Sequence, residues 1–187
     1  MSGIATRVHL TGSSRNPAED LPYLRQIIST VHECQGSIVL NWIETAHFKS
    51  KDSYATWDWN DIVNNNVDAL KRAHVVIIEG TSHGLLQGYQ LALALERRLP
   101  VLFLTRESID TLPISGIKSR LLLIKAYKTT ADLQKVITKF MEANSQAFEQ
   151  PPLSETTRRF LKNQALVTGQ TEAAIIDQVI QERLGRL

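Results

Sequence analysis

Along most of the chain, segments whose hydrophobic residues have the spacing of a strand alternate with segments whose hydrophobic residues have the spacing of a helix. Arg7 to Thr11 alternates in character and then meets a Gly-Ser-Ser-Arg turn, so we expect a strand followed by a loop. Leu21 to Glu33 has the i, i+3, i+4, i+7 spacing of a helix packed on one face. Ser37 to Ile43 is rich in residues that favour sheets and predicts a second strand. Glu44 to Thr56 has no clear period and predicts a mobile loop.

The same alternation continues as far as Ala143 and defines the fold class. Val75 to Ile78 is a short β-branched run before Gly80, which is typical of a strand buried on both faces of a parallel sheet. The other predicted elements are the helices Asp58–Arg72, Gly84–Arg98 and Thr130–Ala143 and the strands Val101–Leu104 and Leu121–Ala126. Strands that alternate with helices at this spacing predict an α/β fold with a doubly wound, Rossmann-like sheet of five parallel strands.

The pattern changes beyond the last of these helices and predicts three parts in the chain. Residues 1–144 form the predicted α/β domain, residues 145–153 a proline-containing linker, and residues 154–187 a helical hairpin. The apolar face of this hairpin is too large to stand alone, so we expect it to pack on the sheet domain or on a second copy of itself. Its predicted helices are Glu155–Val167, with Ser154 as N-cap, and Thr171–Leu184.

Composition and charge exclude several classes of protein. The 187 residues carry 21 basic and 19 acidic side chains, a net charge of +2, which argues against a chain that mainly coats nucleic acid. The single cysteine, Cys34, excludes an internal disulfide and a cysteine-based zinc cluster. Met1 to Arg7 is polar and no apolar run approaches the length of a membrane span, so we expect a soluble, cytoplasmic protein.

The turn after the first strand carries the first candidate for ligand binding. In a doubly wound sheet, ligands bind beyond the carboxyl ends of the strands, where loops and helix N-termini converge. Gly12, Ser13 and Arg15 supply a close-approach glycine, a hydroxyl and a fork-shaped cation there, which together suit a phosphate group. An ordinary loop is the alternative, because the pattern is short. The segments Glu79–Gln90 and Arg106–Lys118 are expected at the same edge of the sheet.

Four stretches of the chain resemble one known family. Gly12 to Arg15 (GSSR) is similar to the phosphate-binding turn of the nucleoside 2-deoxyribosyltransferase superfamily, in particular of its hydrolytic branch, the 2′-deoxynucleoside 5′-phosphate N-hydrolases. Ala73 to Glu79 (AHVVIIE) resembles their A-D-V-V-V-A-E strand, and Gly88 to Ala94 (GYQLALA) resembles their G-Y-E-L-G-x-A motif. Leu112 to Lys118, which contains Ser115, resembles a loop that reaches a neighbouring subunit's phosphate site in that branch.

The resemblance runs from Arg7 to about Ala143 and implies a flavodoxin-like fold, a nucleotide or nucleoside ligand and no cofactor. The glutamate with which this family attacks C1′ of deoxyribose falls on Gln90, and the aspartate that it uses near the base falls on Asn66. An active-site tyrosine of the first strand falls on His9. The other implied ligand positions are Gly88 and Tyr89 of the G-Y-E motif, and Gly84, where the family has a phosphate-binding serine, with Ser82 two residues away.

Two amides in place of two carboxylates lead to competing hypotheses. A neutral amide cannot supply the anionic oxygen or the acidic proton that the reaction needs, but it preserves shape and hydrogen bonding. The favoured hypothesis is therefore a binding or regulatory module that no longer cleaves its ligand. Alternatively, an N-glycosidase or deoxyribosyltransferase uses a relocated acid, with Glu79 best placed and Asp61 and Asp68 on the adjacent helix. Glu79 suits a structural role equally well, and deliberate substitutions that trap a substrate would also leave two amides.

Histidines and tryptophans give weaker candidates. His9, His74 and His83 lack the spacing of metal ligands, so we expect no metal site. His83 suits either a hydrogen bond to a ligand or a solvated loop. Trp57 precedes the helix that bears Asn66, and packing is favoured there over stacking on a base.

The tail resembles a second family more loosely. Leu153 to Glu155 and Thr168 to Thr171, each leading into a helix, are similar to the helical part of ribbon-helix-helix proteins, which read DNA as dimers through a basic strand. Here the corresponding stretch, Ala147 to Pro152, is acidic and broken by proline, so DNA binding is not favoured. We expect instead a hairpin that seals a homodimer or higher homo-oligomer. The basic side chains left for contacts with a DNA backbone are Arg158, Arg159 and Lys162.

Overall fold

The computed structural model describes residues 5–13, 17–45, 58–82, 84–145, 154–170 and 172–184. The chain divides into two compact units, residues 1–148 and residues 149–187, and each is described by itself.

The first unit is built on a sheet of five parallel strands, which confirms the predicted fold class. The order across the sheet is β2-β1-β3-β4-β5, so neighbouring strands are joined by crossovers. The chain reverses its direction of winding between β1 and β3, and this is the point at which such sheets bind ligands. The strands are β1 (Arg7–Thr11), β2 (Ser37–Ile38), β3 (Val75–Glu79), β4 (Val101–Thr105) and β5 (Leu122–Ala126).

Helices cover both faces of this sheet. They are α1 (Pro17–Glu33), α2 (Trp42–Thr45), α3 (Trp59–Arg72), α4 (Leu85–Glu96) and α5 (Thr130–Ser145), with short 3₁₀ turns at Ile109–Thr111 and Pro113–Gly116. Helices α1 and α5 pack together on one face, and α3 and α4 pack together on the other.

Alternation along the strands assigns each strand residue to one face. Val8 of β1 and Val75 of β3 are register partners and belong to the core under α1 and α5. Val76 and Ile78 belong to the core under α3 and α4. His9, the register partner of Val76, therefore faces α3 and α4. Two separate cores thus meet at the sheet, and the face on which a polar residue lies decides what it can contact.

The predicted second strand is wrong in its extent, because β2 ends at Ile38 and not at Ile43. One further ladder bond runs from Val39 N to Val8 O at 2.9 Å. The chain then leaves the sheet edge, and the Trp42 indole Nε1 donates to Leu10 O at 3.0 Å as α2 begins. Strand β2 lies at the edge of the sheet and pairs with one neighbour only. The sheet propensity of residues 39–43 was therefore not enough to continue the strand. Residues 46–56 of the predicted loop lie outside the described ranges.

The second unit contains two helices, α6 (Glu155–Thr168) and α7 (Glu172–Leu184), which pack against each other. Ser154 caps α6 as predicted, since its hydroxyl accepts from Thr157 N at 3.0 Å. Gly169 ends α6 with a φ of +69°, a left-handed conformation that glycine adopts without strain. The sequence therefore predicted both helices of this hairpin to within one residue at each described end.

Among the helices within the described ranges, none combines the length and the apolar character needed to cross a membrane.

Candidate functional site

Gly12 and Ser13, the described residues of the loop after β1, lie at the carboxyl edge of the sheet, where Gly12 packs against Leu24 of α1. A Cβ atom at Gly12 would lie 2.8 Å from Leu24 Cδ2, so a larger residue there would force the Leu24 side chain to move. Ser13, the next residue, is 7% exposed. The structure thus brings two members of the predicted phosphate loop to the point where the winding reverses. Arg15, the third member, lies outside the described residues.

The central feature of the site is a hydrogen bond between His9 and Gln90. His9 lies on the face of β1 that α4 covers, and Gln90 lies in the second turn of that helix. His9 Nε2 and Gln90 Oε1 are 2.8 Å apart, and the two side chains are 0% and 1% exposed. Burial lowers the pKa of His9 more than the Gln90 hydrogen bond raises it, so the imidazole is held neutral. Two residues that are 81 positions apart in sequence thus form one neutral polar pair.

Asn66 lies on α3, which covers the same face of the sheet. Asp58 caps this helix, because its carboxylate accepts from the backbone N–H groups of Asn60 and Asp61. The Asn66 side chain is 9% exposed, and its Nδ2 donates to Ile62 O one turn earlier at 2.7 Å. Asn66 is therefore held against its own helix, and its described hydrogen bond does not join it to the His9–Gln90 pair.

The loop after β3 contacts the sheet closely. A Cβ atom at Gly80 would lie 1.9 Å from Phe103 Cζ, so only glycine fits there without displacing an aromatic ring of the core. Ser82 follows in a half-buried position, and Gly84 is the N-cap of α4 in an extended conformation. His83 lies outside the described residues. This loop connects the end of β3 to the helix that carries Gln90.

The remaining predicted ligand residues are exposed. Gly88 and Tyr89 lie on α4, and Tyr89 is 46% exposed. Ser115 lies on the second 3₁₀ turn and is exposed as well. None of these three shares a described hydrogen bond with the His9–Gln90 pair. They are available to a ligand or a second chain but do not themselves define a closed pocket.

Glu79 belongs to a different cluster on the opposite face of the sheet. It alternates with Val75 and Ile77, which lie in the core under α1 and α5. Its Oε1 accepts from the Thr81 hydroxyl at 2.5 Å and from the Tyr127 hydroxyl at 2.9 Å. Arg106 Nε lies 3.8 Å from the same oxygen. The carboxylate of Glu79 therefore points away from the face on which Gln90 and His9 meet.

Arg106 ties this cluster to the first turns of α1. Its Nη2 pairs with the buried carboxylate of Asp20, and its guanidinium stacks on the Tyr23 ring at 4.5 Å from the centroid. Its backbone N–H donates to Thr81 Oγ1 at 2.9 Å. Burial raises the pKa of Glu79, although the Thr81 and Tyr127 hydrogen bonds and the charge of Arg106 act to lower it. The whole arrangement links the ends of β3, β4 and β5 to the helix that follows the phosphate loop.

The other two candidates for a relocated acid are exposed. Asp61 lies near the start of α3. Asp68 pairs with Lys71 at 2.7 Å, and this hydrogen bond with the lysine charge lowers the pKa of the carboxylate. Such a carboxylate stays ionised and solvated, unlike the raised-pKa acids that protonate leaving groups.

Possible metal ligands do not gather in the part of the chain that the structure describes, where no three His, Cys, Asp or Glu side chains form a group suited to an ion. His74 Nδ1 accepts from Arg7 N at 3.2 Å.

Comparison with known proteins gives one informative relative. No protein-family model matches the chain. The chain is 28% identical over 138 residues to a protein of Methanosarcina barkeri (strain Fusaro / DSM 804) named "Putative 2'-deoxynucleoside 5'-phosphate N-hydrolase 1". The match covers 73% of this chain and 86% of that protein. The two proteins are distant homologues. The name of this homologue agrees with the resemblance of the short motifs to the 2′-deoxynucleoside 5′-phosphate N-hydrolases.

Proposed function

We propose that this protein binds a nucleoside 5′-monophosphate, or a closely related nucleoside, without cleaving its N-glycosidic bond. The name of the homologue, which describes a 2′-deoxynucleoside 5′-phosphate N-hydrolase, supports a nucleotide as the ligand. The proposal that the N-glycosidic bond is not cleaved rests on the His9–Gln90 pair, because both of its members are buried and neutral.

The chemistry of the amide is the reason for this choice. Displacement at C1′ needs an anionic oxygen, and removing such a nucleophile typically costs many powers of ten in rate. Gln90 has no ionisable oxygen, and the imidazole beside it is held neutral by burial. An amide still donates and accepts hydrogen bonds, so it can retain a sugar that it does not attack.

The proposed contacts follow the elements around the carboxyl edge of the sheet. Gly12, Ser13 and Arg15 bind the phosphate, which the positive end of the α1 helix dipole also favours. Gln90 and His9 lie beside the sugar. The proposed further contacts are Asn66 near the base, Ser82, Gly84, Gly88 and Tyr89 around the loop and helix after β3, and Ser115 from a neighbouring copy.

A titration tests the binding half of the proposal. We expect calorimetry to show that nucleoside 5′-monophosphates bind to the full chain. Gln90→Leu should weaken this binding by about tenfold, because leucine is similar in size to glutamine but has no amide to hydrogen-bond the ligand. Gln134→Leu is the matched control, because Gln134 is an exposed residue of α5 that hydrogen-bonds Glu33 at 2.8 Å on the other face of the sheet. An equal loss in both variants, or no binding by the wild type, would contradict the proposal.

An active N-glycosidase that relies on Glu79 is the weaker alternative. Glu79 and Gln90 lie on opposite faces of the sheet, and Glu79 is held by Thr81 and Tyr127. A DNA-binding regulator is also weaker, because the basic side chains of α6 are balanced within the hairpin. Helix α6 has a net charge of +2, and α7 has a net charge of −2.

We also propose that the hairpin of α6 and α7 binds a second copy of itself. Phe160 lies eight residues before the end of α6 and Ile180 eight residues after the start of α7, so an antiparallel pair brings them to the same level. Phe160 is 54% exposed, Val179 52% and Ile180 47%. The opposite net charges of the two helices allow α6 of one copy to face α7 of the other in a two-fold arrangement.

Light scattering on the full chain tests this association. We expect a dimer or a multiple of it, and we expect Phe160→Glu to shift the population towards the monomer. Leu166→Glu is the matched control, because Leu166 is 85% exposed but lies six residues from Phe160, about 120° away around α6. A wild type that stays monomeric at high concentration would overturn the proposal, as would equal dissociation of both variants.

A further inference from the structure

A buried carboxylate lies directly beside the predicted phosphate loop. Gly12 of this loop follows β1, and Glu79 ends the neighbouring strand β3 on the same face of the sheet. A Cβ atom at Gly12 would lie 3.7 Å from Glu79 Cβ. Glu79 is 0% exposed and Ser13, the next residue of the loop, is 7% exposed. Little solvent therefore screens the carboxylate of Glu79 from a charged group bound to the loop.

The charges around this carboxylate do not balance when both acids of the cluster are ionised. Glu79 and Asp20 are both buried, and Arg106 is the one cation that pairs with them among the described residues. The second oxygen of each carboxylate is buried and has no hydrogen-bond partner in the described part of the chain. An unmatched buried charge is costly, so the cluster favours one bound proton.

Glu79 is the acid that takes this proton. Arg106 Nη2 pairs directly with Asp20, whereas Arg106 Nε lies 3.8 Å from Glu79 Oε1. Burial raises the pKa of Glu79, although Arg106 acts to lower it. The other polar side chains that the structure describes around this cluster bear hydroxyl groups, which are neutral at physiological pH: Thr81 after β3, Tyr127 after β5 and Tyr23 of α1.

We propose that Glu79 determines which ligand charge the phosphate loop accepts, because the loop binds a 5′-phosphate well only while Glu79 is protonated. This inference rests on the proposed function, which puts the phosphate on Gly12 and Ser13. A bound phosphate favours the neutral acid beside it, so nucleotide binding takes up a proton from the solvent onto Glu79. A nucleoside without a phosphate carries no charge for Glu79 to repel, and its binding takes up no proton.

The expected pH dependence has a distinctive sign. A nucleotide phosphate loses its second proton at about pH 6, and cationic groups hold the dianion more tightly, so a simple phosphate site gains affinity as the pH rises. Glu79 acts in the opposite direction. Its effect on affinity is absent below the raised pKa of the free protein, and affinity falls as the pH rises through that pKa.

Calorimetry on the full chain tests the inference. Each of the four common 2′-deoxynucleoside 5′-monophosphates and its nucleoside is titrated at several pH values, in two buffers that differ in ionisation enthalpy, so that the heat reports proton uptake. We expect uptake with the nucleotide in the wild type and its loss in Glu79→Gln, which does not titrate. The ratio of wild-type to Glu79→Gln affinity for the nucleotide, which cancels the ionisation of the phosphate itself, should fall about tenfold from low to high pH.

Glu33→Gln is the matched control, because Glu33 is an exposed glutamate at the other end of α1 that hydrogen-bonds Gln134 at 2.8 Å. It should keep the pH profile of the wild type.

The outcomes separate the inference from the proposed function. Equal pH profiles in the wild type and Glu79→Gln overturn the inference and leave nucleotide binding intact, as does an equal change in Glu33→Gln. Failure of every nucleotide and nucleoside to bind at any pH overturns both. If Glu79→Gln does not fold, the wild type decides: affinity for the nucleotide relative to its nucleoside that falls as the pH rises supports the inference, and a constant or rising ratio overturns it.

Discussion

Introducing two carboxylates at positions 90 and 66 should create an N-glycosidase from this protein. We expect the double variant Gln90→Glu, Asn66→Asp to release free base from 2′-deoxynucleoside 5′-monophosphates at least about a thousandfold faster than the wild type. The reason is electrostatic, because Gln90→Glu supplies the missing anionic oxygen where the resemblance implies a nucleophile. Its burial on the α4 side of the sheet, beside His9, keeps that oxygen poorly solvated. Chromatography of the released base measures the effect.

A matched pair of substitutions controls for the added charges. Asn144 Nδ2 donates to Phe140 O at 2.7 Å, the same geometry as Asn66 to Ile62, and Gln134 is an exposed glutamine. The variant Gln134→Glu, Asn144→Asp should leave base release at the wild-type level. A folded, ligand-binding double variant at positions 66 and 90 that released no base would show that these residues do not surround the glycosidic bond.

Removing the carboxylate of Glu79 should be among the most destabilising single changes in the sheet. Glu79→Ala takes the acceptor away from the Thr81 and Tyr127 hydroxyls and removes one of the two carboxylates beside Arg106, which keeps Asp20. We expect a loss of about 3–5 kcal/mol in the free energy of unfolding, because two hydroxyls lose this acceptor at a cost of about 1–3 kcal/mol each. Glu79→Gln keeps an acceptor oxygen and should cost only about 1 kcal/mol. Chemical denaturation followed by circular dichroism compares the two variants, and similar losses in both would contradict the structural role of the carboxylate.

The same carboxylate should make stability depend on pH. Burial raises the pKa of Glu79 in the folded protein above its value in the unfolded chain. The folded state therefore holds the proton more tightly, and this contribution to the free energy of unfolding is present at low pH and lost as the pH rises through the raised pKa. Glu79→Gln does not titrate, so its free energy of unfolding should fall less over the mildly acidic to neutral range. An unchanged slope would mean that Glu79 is ionised throughout.

The fold was predictable because its signals are local. Val75 to Ile78 and Val101 to Leu104 are continuous apolar runs that only buried strands need, and the helices between them carry a clear apolar stripe. The end of β2 was not predictable in the same way. Residues 39–43 have sheet propensity, but at the edge of the sheet the Trp42 indole contact with Leu10 O and a helical turn prevailed.

Only part of the candidate site was predictable, because its contacts join residues that are far apart in the sequence. The positions of His9 and Gln90 came from motif resemblance, and their hydrogen bond spans 81 residues. The cluster of Asp20, Arg106 and Tyr127 was missed, since its members come together only once the order of β3, β4 and β5 is known. One signal was present: Arg106 and Tyr127 each follow directly after a strand, at the edge where ligands and polar networks gather.

Recovery of the bound nucleotide tests the central claim most directly. The wild-type chain is saturated with a nucleoside 5′-monophosphate, kept for many hours, unfolded, and analysed by chromatography for nucleotide and free base. We expect the nucleotide to be recovered intact in proportion to the protein. Accumulation of free base, at a rate that Gln134→Leu leaves unchanged, would contradict the account, because a neutral pair at this position cannot break the glycosidic bond.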